Sequence, residues 1–539
     1  MFNSRKLHYL LLSLILLYAT ILRLYLLNIP FHSTAEGVGS WYGIMARNYL
    51  HLPWQIHKGV PVQSIGHWPD TPVRFYSHHP PLMPLAIALS YKLLGQGDWQ
   101  TRLPFALSTL GIILLLYLLL KNKTPVAALY ASAIYASLPM VLYYGAQPEF
   151  INPQFIFLTL LTIAAFFRLN ANPTIKNSLL LCVAFTLAAA TDWPAFYLVP
   201  LATISFLLKH RLKHWPLILL FSLFSLFIFA ALYTHIVLVA TNDWTWMLSQ
   251  FRARTLGTTP SQEISFLAWL KMAWYYNQTH HTLPILLLSA IWLILTLFRR
   301  ILPSPGTPGE GQGEGSPPQI AKRKSQIANS LPLFLLLFSL IHLLIGRQGS
   351  HAHAWWWWPL TPFLALSSAL ALAHLINLFP KRLTIPAHTL AILLLILFAT
   401  INLKKNLPHL LDPNLTSANQ PYDGEMLARA VRFASPDANT PVILISGDVH
   451  PSLWYYADRP IKMHVWSIEA FNARLTNTTA DLPFAFQQDC PARPVAVIVP
   501  KLYANAAKDL LAHLRDNYSR LNPPAPLYEM YEIYSLQKN

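Results

Sequence analysis

The chain has 539 residues, of which 54% are hydrophobic and 11% are charged, and its formal net charge is +17 at pH 7. A positive mean hydropathy with so few charges excludes an ordinary soluble globular protein and predicts a polytopic α-helical membrane protein. The basic charge does not indicate a nucleic-acid partner, because Lys and Arg cluster in short loops between apolar runs, as membrane orientation requires.

Apolar runs that are long enough to cross a bilayer recur along the chain, since about 20 such residues span about 30 Å of hydrocarbon. The clearest runs are 7–27, 103–120, 217–240 and 331–345. With the amino terminus taken as cytoplasmic because of Arg5 and Lys6, the positive-inside rule predicts about eleven spans. The first is predicted to stay uncleaved, because no small-residue cleavage motif follows it. An odd number of spans places the final segment outside.

Composition divides the chain into a membrane domain, 1–402, and a tail domain, 403–539. The membrane domain includes a first external loop, 30–102, and a stretch rich in Pro, Gly and Ser, 303–330, which is predicted to be a disordered cytoplasmic insertion. The tail contains the runs PVILIS and VAVIVP, which are typical of buried parallel strands and predict a small external α/β domain. It contains no phosphate-binding loop, nucleophile elbow or Cys/His metal spacing.

Unusual polar residues all fall on one side of the membrane under the predicted topology. In chain order they are Glu36, His78, His79, Glu149, Asp192, Arg347, His351 and His353. An acid at a membrane boundary costs several kcal/mol if it faces lipid, so such residues usually face a cavity. Several of them from separate spans indicate one shared site.

The acids and the tryptophan run also have structural interpretations. Glu36 suits the first turn of a helix, where the helix dipole favours a negative charge. Glu149 and Asp192 stand at turns, where they suit helix capping. The run Trp355–Trp358 is more typical of an interfacial aromatic belt than of a binding cage.

The cationic residues favour an anion. Arg347, His351 and His353 cluster on the side that the topology leaves poor in Lys and Arg. His78 and His79 stand directly before a Pro-Pro pair at the mouth of a short predicted helix. In that position they would donate hydrogen bonds to phosphate oxygens, and more strongly when protonated.

The order of these elements resembles glycosyltransferase family 39, which includes protein O-mannosyltransferases and the bacterial enzyme that adds aminoarabinose to lipid A. The resemblance rests on an acid after the first span, the HHPPL element, GQGDWQTRLPFALSTLGIILLLYLLL (95–120) and QPEFINPQFIFLTLLTIAAF (147–166). It covers about residues 5–400. It implies a GT-C fold, transfer from polyprenyl-phosphate sugars, and a multi-pass protein of the cell inner membrane with its active site on the periplasmic side.

The resemblance also implies roles for individual residues. Glu36 matches the first-loop acid proposed as general base, and Glu149 matches the second-loop acid that places acceptor or donor. Positions that face the donor phosphate are matched by cationic residues of this chain. They are His78, His79, Arg102, Arg347, His351 and His353.

Two departures from the family pattern stand out. Many members have an Asp-Glu pair in the first loop, whereas this chain reads Thr34-Ala35-Glu36. Some relatives have a lysine in the hairpin where this chain has Asp192, which is taken here as a possible substrate-binding residue. No cofactor or metal is expected. The expected partners are a polyprenyl-phosphate sugar, a lipid, glycan or protein acceptor, and membrane lipids, with no nucleic acid.

Two other functions are compatible with the sequence. A transporter or flippase of a lipid-linked sugar would place its ionisable residues near the bilayer midplane, often on broken helices. In this chain the ionisable residues are predicted to gather at one face of the membrane, which favours an enzyme. A non-catalytic family member, in which the tail domain binds a partner, also stays open because one acid of the usual pair is missing.

Overall fold

The computed structural model describes residues 5–31, 34–65, 72–255, 264–301, 318–411, 424–446, 452–463, 465–476 and 492–537. Of the predicted insertion 303–330, residues 303–317 lie outside the described residues. A helix, Pro318–Ile345, begins within the remainder.

Helices make up the membrane part. In chain order they are α1 (Arg5–Leu27), α2 (Thr34–His51), α3 (Trp54–His57), α4 (Leu82–Leu94), α5 (Asp98–Leu120), α6 (Pro125–Ser137), α7 (Pro139–Tyr144), α8 (Pro153–Ala171), α9 (Ile175–Ala189), α10 (Leu198–His210), α11 (Trp215–Ile236), α12 (Trp246–Thr255), α13 (Phe266–His280), α14 (Leu283–Ile301), α15 (Pro318–Ile345), α16 (Arg347–Ala352), α17 (Leu360–Asn377) and α18 (Lys381–Leu411).

The described helices make this a multi-pass membrane protein. By length and composition six of them can each cross a bilayer, or seven if the bent pair α13 and α14 forms one broken span. Several other predicted spans fall on apolar helices of only 10–17 residues. The number of eleven therefore stays a prediction. The last helix of the membrane part, α18, continues past the predicted domain boundary at 402 and ends at Leu411.

Proline and capping residues determine where the helices break on the side that carries the site. The predicted third span is divided into α6 and α7, because Pro139 opens the second piece and Leu138 before it is extended. Asn152 caps α8 by accepting a hydrogen bond from the N–H of Phe155. Asp192 caps a short 3-10 helix, Trp193–Tyr197, in the same way.

The described part of the tail folds into a five-stranded mixed sheet. Its strands are β1 (Val442–Leu444), β2 (Ile461–Lys462), β3 (Ala496–Pro500), β4 (Arg520–Leu521) and β5 (Tyr531–Ser535), in the order β2-β1-β3-β5-β4. Five short helices accompany them: α19 (Gly424–Ala434), α20 (Ser452–Ala457), α21 (Ile468–Thr476), α22 (Lys508–Asn517) and α23 (Leu527–Met530). The two strands predicted from sequence, β1 and β3, are parallel neighbours, which confirms that part of the prediction.

The tail domain and the first loop share one hydrophobic core. Tyr42 of α2 and Ile87 of α4 lie in the same buried cluster as Leu427, Trp454 and Ile533 of the tail. Burial of this surface ties the sheet to the helices that follow the first span. The tail is therefore packed onto the membrane part rather than joined to it only by the chain.

Polar contacts reinforce that core. The hydroxyl of Tyr455 in α20 lies 3.2 Å from the Tyr91 hydroxyl and 3.1 Å from that of Thr101. Arg47 of α2 donates to the Tyr455 carbonyl at 3.0 Å and pairs with Asp458 at 2.9 Å. These contacts hold the tail against α2, the helix in which Glu36 lies.

Candidate active site

The HHPP segment is held against the turn that follows α9. The N–H of Leu82 donates to the Ala190 carbonyl at 2.9 Å. The indole N–H of Trp193 donates to the His78 carbonyl at 2.8 Å, although 115 residues separate the two. The structure thus brings together two of the sequence stretches that were predicted to form the site.

His79 lies between two aromatic rings. Its ring stacks on Tyr76 at a centroid distance of 5.7 Å and on Phe150 at 5.4 Å, with interplanar angles of 18° and 15°. Its Nδ1 is 2.5 Å from the Tyr76 hydroxyl, and its Nε2 is 3.8 Å from Oδ1 of Asp192. Burial, followed by the charges of His78 and Arg254, holds the pKa of His79 well below its usual value, so the ring is neutral.

Asp192 is almost completely buried at the turn between α9 and α10. Its Oδ1 accepts a hydrogen bond from the N–H of Trp193 at 2.7 Å. Its Oδ2 has no hydrogen-bond partner. Burial raises the pKa of Asp192 well above its usual value, and the Trp193 N–H and the charge of Arg254 offset only part of that shift.

Glu149 approaches the same place from another turn. It is 1% exposed, and its carbonyl accepts a hydrogen bond from the Asn152 side chain at 3.1 Å. Both acids affect the pKa of the Tyr42 hydroxyl in α2. Burial raises the pKa of Tyr42 well above its usual value, and the charges of Asp192 and Glu149 add to that rise. Tyr76 contributes more to that rise than either acid. The ring of Phe150, the residue after Glu149, stacks on His79, so the turn that contains Glu149 lies beside His79.

One cation of this site was missed in the sequence analysis. Arg254 is exposed on α12, whose first residue, Trp246, packs its ring against His78 at a centroid distance of 5.4 Å. Burial and then the positive charge of Arg254 lower the pKa of His78 and of His353, each to about 4. The only sequence signal for Arg254 is that it stands in a basic stretch, FRAR, within a predicted external loop.

Comparison with known proteins identifies the architecture. Residues 78–238 match the family model described as dolichyl-phosphate-mannose-protein mannosyltransferase. ArnT from Cupriavidus metallidurans, in a crystal structure bound to undecaprenyl phosphate, is similar over 97% of this chain and 97% of its own, with a TM-score of 0.61 and 13% identity. This chain has the GT-C glycosyltransferase fold. The sequence resemblance to this type of glycosyltransferase is confirmed.

Two further solved structures share the GT-C fold at low identity. The Archaeoglobus fulgidus oligosaccharyltransferase, in a complex with Zn and sulfate, has a TM-score of 0.53 and 12% identity, with 92% of this chain and 68% of that chain covered. The arabinofuranosyltransferase AftD from Mycobacteria has a TM-score of 0.51 and 14% identity, with 99% and 40% covered. No curated protein sequence matches the chain.

Arg102 connects two parts of the fold through hydrogen bonds. It is fully buried, and its guanidinium donates to the carbonyls of Leu27, at 3.0 Å, and of Ile29. It also lies 4.0 Å from the ring centre of Phe31 and donates to Gln147 at 3.3 Å. Arg102 thereby joins the end of α1 to the turn before α8. Its predicted contact with the donor phosphate stays a prediction.

The remaining basic residues of the candidate site lie on and after α16, which packs against α12. Arg347 begins α16, is partly buried, and has no hydrogen-bond partner at Nε. His351 is partly buried near the end of the same helix. His353 stacks on Trp355 at a centroid distance of 4.3 Å and an angle of 14°. Part of the tryptophan run thus packs against a histidine of the candidate site.

Glu36 lies in the first turn of α2, but its side chain falls outside the described residues. Its predicted role as base therefore stays a prediction. Across the described ranges, no group of three or more His, Cys, Asp or Glu side chains is arranged to hold a metal ion.

Proposed function

We propose that this protein is a membrane glycosyltransferase that moves a sugar from a polyprenyl-phosphate donor to a hydroxyl or phosphate of an acceptor, on the periplasmic face of the inner membrane. The observation that carries the proposal is the position of His79, whose Nε2 is 3.8 Å from Asp192 and whose ring stacks on Phe150, the residue after Glu149, within a GT-C fold. A structural neighbour with this fold was solved with undecaprenyl phosphate bound.

The site has the groups that such a transfer requires. A base must take the proton of the acceptor hydroxyl, and cations must stabilise the leaving phosphate. Glu36 is the candidate base, and Glu149 is the second acid, which orients the substrates. The phosphate is assigned to Arg254 and Arg347, because charge-assisted hydrogen bonds to phosphate are roughly twice as strong as neutral ones. His78, His351 and His353 are assigned as further hydrogen-bond donors to it, and the lowered pKa values of His78 and His353 make those two rings neutral donors.

The donor makes a cofactor unnecessary in this proposal, because the sugar arrives already activated on its lipid phosphate. The acceptor is a lipid, a glycan or a protein. Membrane lipids surround the spans. A cavity of about 390 Å³ between α1, α6 and α18 is lined mainly by Leu, Ile and Ala side chains, which suits a prenyl or acyl chain.

Sugar transfer by the purified protein in lipid nanodiscs tests the proposal. Glu36→Gln is expected to lower turnover about 100-fold or more, which is the usual contribution of a general base. Glu149→Gln is expected to lower turnover about 100-fold, because misplaced substrates cost about that much. Glu425→Gln, in the tail helix α19 and partly exposed, serves as the control and is expected to leave turnover unchanged. Full turnover in Glu36→Gln would remove that residue as the base, and no transfer by the wild type from any polyprenyl-phosphate sugar would overturn the proposal.

A further inference from the structure

Four side chains from three separate segments form a line through the candidate site. The His79 Nε2 is 3.8 Å from Asp192, its Nδ1 is 2.5 Å from the Tyr76 hydroxyl, and that hydroxyl is 3.2 Å from the Tyr42 hydroxyl. Asp192, Tyr76 and Tyr42 are each buried to within about 2% of their surface. The side chain of His79 is 18% exposed, so the line runs through the protein interior except at His79.

Each member of the line can both accept and donate a proton. With Tyr76 as donor to Nδ1 of His79, the imidazole N–H is at Nε2 and faces the Asp192 carboxyl group. The Tyr42 hydroxyl then donates to the Tyr76 oxygen and keeps lone pairs free to accept. This arrangement satisfies both hydrogen bonds of the line with one direction of donation, from Tyr42 toward His79, and leaves the Nε2 proton of His79 on the side of Asp192.

We propose that Asp192, His79, Tyr76 and Tyr42 form a proton relay that carries the proton released by sugar transfer to Asp192. The relay rests on the proposed function and adds the destination of the proton to it. As the acceptor oxygen forms its bond to the sugar, the bond from the sugar to the phosphate oxygen breaks, and the phosphate leaves with the electron pair. The acceptor proton passes through the base to Tyr42.

The later steps balance in the same way. Tyr42 accepts that proton on oxygen and gives its own to Tyr76, Tyr76 gives one to Nδ1 of His79, and the Nε2 proton of His79 moves to Asp192. The base is ionised again and Asp192 ends neutral. Loss of the Asp192 proton, return of His79 from the Nδ1–H to the Nε2–H tautomer and rotation of the two hydroxyls reset the line for the next turnover.

The surroundings of Asp192 suit a proton acceptor. Its buried Oδ2 has no hydrogen-bond partner and can receive a proton without breaking another contact. The charged and titratable groups that act on the line are Arg254 and His78 on the α12 side, Tyr197 beyond the turn, and Glu149 near Tyr42. The 3.8 Å separation of His79 and Asp192 exceeds a hydrogen bond, and such contacts often tighten only when substrate is bound.

Two isosteric substitutions and one matched control test the relay. Asp192→Asn and Tyr76→Phe each remove one link with little change of volume. Tyr197→Phe removes a hydroxyl whose pKa is also affected by Asp192 but that lies outside the line. We expect kcat to fall about 10-fold or more in the two relay variants and by less than about 2-fold in the control. Binding of undecaprenyl phosphate is expected to change by less than about 2-fold in all three.

The pH dependence and the double variant distinguish a relay from simple damage. The wild-type kcat should fall as the pH decreases through the pKa of Asp192, because a protonated carboxyl cannot accept, and Asp192→Asn should lose that limb. The double variant should be no slower than the slower single variant, since both changes interrupt one path. The relay would be overturned if the double variant lost kcat by the product of the two single losses. It would also be overturned if the kcat of Asp192→Asn still fell at low pH as that of the wild type does.

One readout does not depend on turnover. Infrared difference spectra on pH titration should contain a carboxyl C=O band that Asp192→Asn removes and Tyr76→Phe shifts. An inactive wild type that still shows this coupled band would reject the proposed function alone. A band that is insensitive to Tyr76→Phe would reject the relay even if transfer is observed.

Discussion

The hydroxyl of Tyr456 in the tail domain donates a hydrogen bond to the Asp98 carboxylate at 3.0 Å, across 358 residues of sequence. The same oxygen accepts the N–H of Phe31 at 2.8 Å. Tyr456 therefore ties the tail to the first turn of α5 and to the loop after α1. Because α2 lies between those two contacts in the sequence, the tail helps to position the helix in which Glu36 stands.

Removing that hydroxyl is expected to weaken the attachment of the tail. Tyr456→Phe leaves a partly buried carboxylate and a backbone N–H with one partner fewer, which costs about 1–3 kcal/mol. A lower Tm in detergent and faster proteolysis of the tail are the expected results. Tyr528→Phe, at an exposed tyrosine of the same domain, is the control. Equal Tm values for the two variants would show that the Tyr456 contact contributes nothing to stability.

Close packing between α2 and the tail predicts a second effect. A Cβ at Gly43 would lie 2.5 Å from the Tyr455 ring and 2.9 Å from the Tyr91 hydroxyl. Gly43→Ala is therefore expected to destabilise the protein by about 1–3 kcal/mol through overpacking, despite the better helix propensity of alanine. Ser40→Ala on the same helix loses only a hydrogen bond to the Gly37 carbonyl and is the control. A Tm for Gly43→Ala at or above that of the control contradicts this packing.

The two arginines near the end of α12, Arg252 and Arg254, should contribute differently to binding of the donor phosphate. The charge of Arg254 affects the pKa values of Asp192, His78 and His353, whereas none of those shifts is attributed to Arg252. A charge-assisted hydrogen bond contributes about 1.5–3 kcal/mol, so Arg254→Ala should weaken undecaprenyl phosphate binding about 10-fold or more. Arg252→Ala should change it by less than about 2-fold. Equal losses would place the phosphate elsewhere.

Asp192 should reduce stability at high pH. Burial raises its pKa in the folded protein, so between about pH 4 and that raised pKa the unfolded chain has lost a proton that the folded chain retains. The free energy of unfolding therefore decreases as the pH rises through that window. The Asp192→Asn variant has no carboxyl group at this position, so its stability does not decrease in this window. The Tm of the variant minus the Tm of the wild type should therefore increase from pH 4.5 to pH 8. A Tm difference that is constant with pH would contradict the raised pKa.

Sequence patterns predicted the membrane class and the two central strands, because apolar run length and strand-like runs are local signals. The sequence stretches with Glu149, Asp192 and the two histidines were also recognisable, since polar groups at membrane boundaries require a reason. What could not be predicted was which of them touch. The stacking of His79 between Tyr76 and Phe150 depends on how three separate segments pack.

The same limit applied to the tail. Its contact with α2 is made by Tyr455 and Tyr456, and an adjacent tyrosine pair in a short helix has no sequence pattern that marks an interface. Family resemblance indicates a phosphate contact for Arg102, and that contact stays a prediction. The bond of Arg102 to a carbonyl group at the end of α1, where buried carbonyls need donors, could not be predicted from the sequence.

The fate of the donor tests the central claim most directly. Wild-type protein in nanodiscs would be supplied with a polyprenyl-phosphate sugar, and the lipid products in each leaflet would be quantified by mass spectrometry. Sugar transfer predicts one free polyprenyl phosphate for each sugar that appears on the acceptor, confined to the external leaflet and abolished by Glu149→Gln. Movement of intact donor from one leaflet to the other, without release of polyprenyl phosphate, would contradict a transferase and indicate a flippase.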